Sequence, residues 1–155
     1  MSMVSFRVEG FREMEAALDE LASLSTRRSV ARRALIKAAQ PMAELMRSLA
    51  PDDPNTANED LVGSIAVSPT LSDRQRGLHR RMFPNHRTSV EVFVGAGPVP
   101  QAHLQEFGTQ HHAPQPFGRP AFDMDARNLI DRLGREMWSE IQRSVARARR
   151  RQARS

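Results

Sequence analysis

Apolar and polar positions change period several times along this chain, and each change marks an element. Val4, Phe6 and Val8 alternate with Ser5, Arg7 and Glu9, the period of a half-buried strand, and Gly10 ends the pattern. From there Phe11, Met14, Leu18, Leu21 and Leu24 recur at spacings of three and four while Arg12, Glu13, Glu15, Asp19 and Glu20 fall on the other side. That spacing predicts an amphipathic helix over roughly 11–24. Thr26 is placed to cap a second helix whose stripe is Val30, Leu35, Ala38, Met42, Leu45, Met46 and Leu49. Pro41 interrupts this stripe, which predicts a kink or two shorter helices, and the Ala50-Pro51 step ends it. Residues 51–60 (PDDPNTANED) read as a loop, with the carboxylate pairs Asp52-Asp53 and Glu59-Asp60 solvated.

Two strands are expected next, Leu61 to Val67 and Ser89 to Val94, the second marked by alternating Val90, Val92 and Val94. Between them, 71–88 carries Arg74, Arg76, Arg80, Arg81 and Arg87 against Asp73, and reads as an extended basic loop of a hairpin. Gly95-Ala96-Gly97-Pro98 predicts an irregular turn. Residues 101–122 read as a short apolar element followed, over 110–122, by an extended arm, because Pro114, Pro116 and Pro120 oppose both helix and central strand. Asp123 or Asp125 then caps a last helix lined by Leu129, Ile130, Leu133, Met137, Ile141 and Val145, with Trp138 on its shoulder. The fold class is therefore α+β: a small antiparallel sheet packed by amphipathic helices, with a long C-terminal helix and a proline-rich arm. At 155 residues one domain is expected, over 1–142, with 143–155 as a basic tail continuing the last helix.

Charge sharpens that division. The formal net charge is +5, yet residues 143–155 hold Arg143, Arg147, Arg149, Arg150, Arg151 and Arg154 and no acid, leaving 17 basic against 18 acidic groups in the rest. A neutral body carries a basic end. Lys37 is the single lysine, so almost every cation is a guanidinium able to form forked bonds to phosphate or carboxylate. The arginine end reads either as a contact for nucleic-acid phosphates or an acidic protein surface, or as a solvated helix end whose cations complement the dipole. It lacks the interleaved aromatics of a single-strand platform, so any DNA contact would be to backbone.

Other chemistry is sparse. With no cysteine, disulfide frameworks and thiolate catalysis are excluded. No nucleophile elbow, phosphate-binding loop or zinc-protease motif is present, and Gly95-Ala96-Gly97 lacks the third glycine of a dinucleotide site. His111 and His112 are adjacent on an extended segment and point apart, so with His103 they do not predict a metal site. No apolar run approaches a membrane span. The expectation is a protein without catalytic residues, cofactor or membrane association, made and used in aqueous surroundings.

The segment Ala102-His103-Leu104-Gln105-Glu106-Phe107-Gly108-Thr109, then Gln115-Pro116-Phe117-Gly118-Arg119-Pro120-Ala121-Phe122, then a long helix, resembles the neck or tail-completion family of long-tailed bacteriophages. Val8-Glu9-Gly10, the Ala50-Pro51 step, and Leu61 with Ser64-Ile65 fit the same order, although the family's glycine before Leu61 is missing and 71–88 is long and basic. The resemblance implies a structural virion component at the head-to-tail joint, assembled in the host cytoplasm. It implies copies closed into a ring, sixfold like the tail, between a tail terminator or tube protein and a head connector or stopper, with DNA in the channel. Glu106, Phe107, Gly108, Thr109, Pro116, Phe117, Arg119, Pro120 and Phe122 become the candidate intersubunit residues. Phe107 is expected to be buried and Glu106 to pair with Arg119. Phe117 and Phe122 read either as intersubunit anchors or as covers of the protein's own core. The alternative function is a small DNA-binding protein acting through its arginine-rich C-terminal helix.

Overall fold

The computed structural model describes residues 11–21, 23–52, 61–84 and 89–154. The predicted strand over Val4–Val8, most of the 51–60 loop and Arg87 lie outside the described residues. In chain order the elements are α1 (Phe11–Asp19), α2 (Leu24–Leu49), α3 (Leu61–Ser64), β1 (Ile65–Ser68), α4 (Asp73–Met82), β2 (Phe93–Ala96), α5 (Pro100–Phe107) and α6 (Gly118–Gln152). The class is α+β, mostly helical, with a two-stranded antiparallel sheet among the described residues and a long C-terminal helix.

The frame is an antiparallel pair of long helices, α2 and α6. Val30 and Ile141 share a core cluster, Arg132 Nε donates to the Ala38 carbonyl at 3.0 Å, and Met46 lies against Gly118. The buried stripe of α2 is richer in alanine than its leucines suggest: Ala34, Ala38 and Ala43 are fully buried. Small side chains let the two backbones approach closely, and Leu49, assigned to the stripe from its spacing, sits at the exposed margin. Pro41 removes the bond its N–H would make to the Lys37 carbonyl, yet α2 is one continuous helix and not two. Buried Ala38, Ala39, Met42 and Ala43 on either side hold both halves against the core, which offsets the loss of one bond. The cap of α2 is Ser23, whose Oγ accepts the Thr26 N–H at 3.2 Å; Thr26 lies inside the first turn.

Several boundaries differ from those read in the sequence. Residues 61–64 form a helical turn and only Ile65–Ser68 is strand. Leu61 and Ile65, four apart, share a face in either geometry, so their spacing fits both. The second strand is Phe93–Ala96, paired Ile65 to Ala96 and Ser68 to Phe93. Pro69 ends the first strand, and among the described residues Val90 and Val92 have no partner strand. Arg47 fastens the hairpin to α2: its Nε and Nη2 both donate to the Ile65 carbonyl, at 3.0 and 2.7 Å.

Two apolar clusters sit at opposite ends of the long pair. One joins Ala43, Met46, Ala50, Leu61, Ile65, Phe117 and Ala121; the other joins Met14, Leu21, Val30 and Ile141. The stretch expected to be a basic loop contains α4, opened by a reciprocal capping box between Ser72 and Gln75. The proline arm is shorter than expected, since α6 begins at Gly118. Pro120 is accommodated because a third helical position needs no intrahelical N–H bond.

Candidate interaction surface

The family-like motif folds into a latch between α5 and α6. Pro100 opens α5, and Gly108 closes it with φ at 75°, its N–H donating to the Leu104 carbonyl at 2.8 Å. A side chain at 108 would be strained, and its Cβ would meet the His112 oxygen and Pro114 ring at 2.9 Å, so glycine is required. The chain then turns back, with Thr109 N–H donating to the His112 carbonyl and Gln115 N–H to the Gln105 carbonyl. This brings residues 117–119 onto the Glu106 carboxylate. Oε2 accepts the N–H groups of Phe117 and Gly118 and Oε1 accepts that of Arg119, all at 2.9 Å.

Phe117, at the cap position of α6, supplies no side-chain bond, so Glu106, eleven residues upstream, does the work expected of Asp123 or Asp125. A carboxylate at the positive end of a 35-residue helix is stabilised by both the N–H groups and the dipole. Partial burial pushes the Glu106 carboxyl up, but the N–H groups of Gly118, Arg119 and Phe117 more than offset this and hold it below the ordinary range. The expected pairing with Arg119 thus runs through that residue's backbone N–H, with the guanidinium adding a weaker attraction.

The aromatic residues of the motif divide. Phe117 is 4% exposed and belongs to the core, so within this subunit it is not offered to a neighbour. Phe107, expected inside, is 67% exposed: Ala102 and Glu106 take the inner face of α5, leaving Phe107 beside the His103 ring, tilted by 48° at 4.9 Å. Phe122 is exposed, as are Thr109, Pro116 and Arg119, while Pro120 is half-buried. Exposed Leu104 and Met124 add to the apolar surface of this end.

Charged groups missed in the sequence hold the rest of α6. Asp125, buried, takes a forked bond from Arg132 Nη1 and Nη2 at 2.9 and 2.5 Å, so it is a core partner and not a cap. Glu140 is buried and meets Lys37 Nζ at 2.5 Å, Arg33 Nε at 2.8 Å and Arg143 Nη1 at 3.4 Å. The Lys37 and Arg33 bonds outweigh the desolvation of Glu140 and lower its pKa to about 2. The available signal was spacing: Arg33 and Lys37 are four apart on one face of α2 and need an acid from whatever packs there.

All six C-terminal arginines are exposed, at the end of α6 far from the latch. The packed part of α6 extends past 142, however, since Ser144 is buried and Val145 lies against the second cluster. The basic appendage proper begins near Arg147. Arg147, Arg149 and Arg151 line a groove of about 760 Å³ with Ser25, Ser29 and Arg33 of α2. Among the described residues no group of three or more metal-binding side chains occurs, and no helix is long and apolar enough to cross a membrane.

The model of one protein family, described as "Bacteriophage HK97-gp10, putative tail-component", matches residues 12–108, more than half of the chain. No curated protein and no solved structure matches it. The matched range runs from α1 to the glycine that closes α5, and so includes α2, the hairpin with its helical insertion, and the Glu106 carboxylate. This chain therefore belongs to the HK97-gp10-like family of bacteriophage tail components.

Proposed function

We propose that this tail component is a non-enzymatic structural subunit of the phage neck, a tail-completion or head-to-tail joining protein that closes into a ring, sixfold like the tail, around the DNA channel. The observation that carries the reading is the layout of α6. One end presents Phe122 and Met124 beside the latch and the exposed Phe107; the other presents six exposed guanidiniums. A subunit stacked between a tail terminator or tube and a head connector meets different neighbours at its two ends, and a ring contact is itself made between two different faces. The arginine end suits phosphates in the channel or an acidic segment of an adjoining component.

Negative-stain images of particles carrying a labelled copy test this. Label at the head-to-tail joint is the expected result, and label confined to the tail tip or capsid surface overturns it. The same arginine end gives the alternative, a small DNA-binding protein, its observable consequence. The isolated chain would then bind duplex with an affinity that falls steeply as salt rises, with no need of a partner ring.

A further inference from the structure

Helix α4 is the one described element of ten or more residues that buries none of its own side chains. A helix of ten residues is too short to be stable alone in water, where about 12–15 residues are marginal. Its capping box and the hairpin supply part of the support. One face, His79 with Arg76, Arg80 and Phe83, turns toward the hairpin, where the His79 ring meets Phe93 edge-on at 5.3 Å. The opposite face carries Arg74, Leu78, Arg81 and Met82, at the i, i+4, i+7, i+8 spacing of a helix stripe that binds something. Leu78 is 53% and Met82 71% exposed. Neither Arg74 nor Arg81 makes an ion pair among the described residues.

The complement of that stripe lies on the same molecule. Between α1 and α6 runs a shallow groove of about 490 Å³, walled by Ala17, Trp138, Val145 and Ala146, with Glu20 and Arg149 also lining it. Glu20, just past the end of α1, lines the groove, and Glu13 precedes Ala17 by one turn on the same side of α1. Both are exposed, and neither makes an ion pair among the described residues. From Phe11 to Leu21 there are four carboxylates and one arginine; α4 has four arginines and one carboxylate.

We infer that α4 of one copy docks in the α1–α6 groove of the next. Leu78 and Met82 enter between Ala17 and Trp138, and Arg74 and Arg81 face Glu13 and Glu20. The contact joins two different surfaces, so its repetition generates a ring or a filament. It is small, and closing a ring, in which each subunit gives and receives one such contact, makes it cooperative. The inference deepens the ring proposed above and rests on self-assembly of the chain.

The absence of cysteine makes the test clean. One pool of full-length chain carries Met82→Cys and another Ala17→Cys, and a short bismaleimide is expected to join the pools to each other and neither to itself. Leu78→Asp with Met82→Asp is expected to abolish assembly in sedimentation velocity while leaving helicity and melting unchanged, because neither residue is buried. Arg74→Glu with Arg81→Glu should weaken assembly about tenfold or more, and Glu13→Arg with Glu20→Arg on the same chain should restore it. A chain that assembles with no cross-link between positions 82 and 17, and no response to these changes, overturns the docking and leaves the ring standing. A chain that remains monomeric and gives no cross-link overturns both. A cross-link formed within a monomer carrying both cysteines shows α4 covering its own groove and also overturns the inference.

Discussion

Helices α4 and α6 begin in opposite ways. The first is capped by its own sequence, Ser72 and Gln75 exchanging bonds with each other's backbone N–H, and none of its residues is buried. The second is capped by Glu106 of another helix and is then held along its length by Arg132 to the Ala38 carbonyl and by Glu140 to Lys37 and Arg33. A locally capped helix can form or move without disturbing the core, whereas a remotely capped one is part of the cooperative unit. Surface for a partner is therefore to be sought on α4, and global stability on α6.

The largest effect expected from breaking this contrast is that of Phe117→Ala, which empties a buried site at the start of α6 and should cost about 3–5 kcal/mol in denaturant unfolding. A loss below about 1 kcal/mol, with ring formation abolished, would return Phe117 to the intersubunit role, the other of its two sequence readings. Acid comes next. The Glu140 carboxyl is lowered in the fold from 4.5 to about 2, so its contribution is full above pH 4.5 and disappears as pH falls toward 2. Allowing for the partial exposure of Arg33 and Lys37, the loss should be on the order of 2 kcal/mol, and Glu140→Gln should flatten the stability curve in that window.

Glu106→Ala removes the acceptor of three N–H groups and should cost about 2 kcal/mol, at the upper end for a helix cap. Hydrogen exchange should quicken at the first turn of α6 and across 109–116 together; quickening in α6 alone would mean that the latch does not order the loop. Ser72→Ala should be smallest, about 0.5–1 kcal/mol in the helicity of α4, with the global unfolding midpoint nearly unmoved. A midpoint shift as large as that of Glu106→Ala would abolish the distinction between the two helices.

Much of this was legible in the order of residues, and the misreadings share a cause. The long apolar stripe from Leu129 to Val145 marked its helix because its period is sustained over several turns, whereas the helix read over 11–24 ends at Asp19 and Leu24, assigned to its face, opens α2 and is exposed. Leu61–Val67 misled because a spacing of four satisfies helix and strand alike. The capping signature at Ser72–Gln75 was present in the sequence, but five nearby arginines suggested a loop. The Glu106–Arg119 pairing read from the motif runs through backbone N–H groups, which a residue pattern does not display. Phe107, expected inside, is exposed, and Phe117 takes the core side of its two readings, because the face of a short helix is decided by what its neighbours cover and not by its own pattern. Glu140 and Asp125 were illegible for a related reason, since their partners lie on α2 or about two turns further along α6 and nothing local distinguishes a buried acid from a solvated one.

The unbroken course of α6 also fixes a length. At 1.5 Å per residue, 35 residues make a rod of about 52 Å between the Glu106 latch and the arginine end. Gly134, mid-rod, introduces no break, and the only proline lies in the first turn. If the subunit stacks between two neighbours as proposed, such a rod would act as a gauge, setting how far apart the two layers sit. Adding or removing seven residues in its outer half would change that spacing by about 10 Å while leaving the chemistry of both ends as it is.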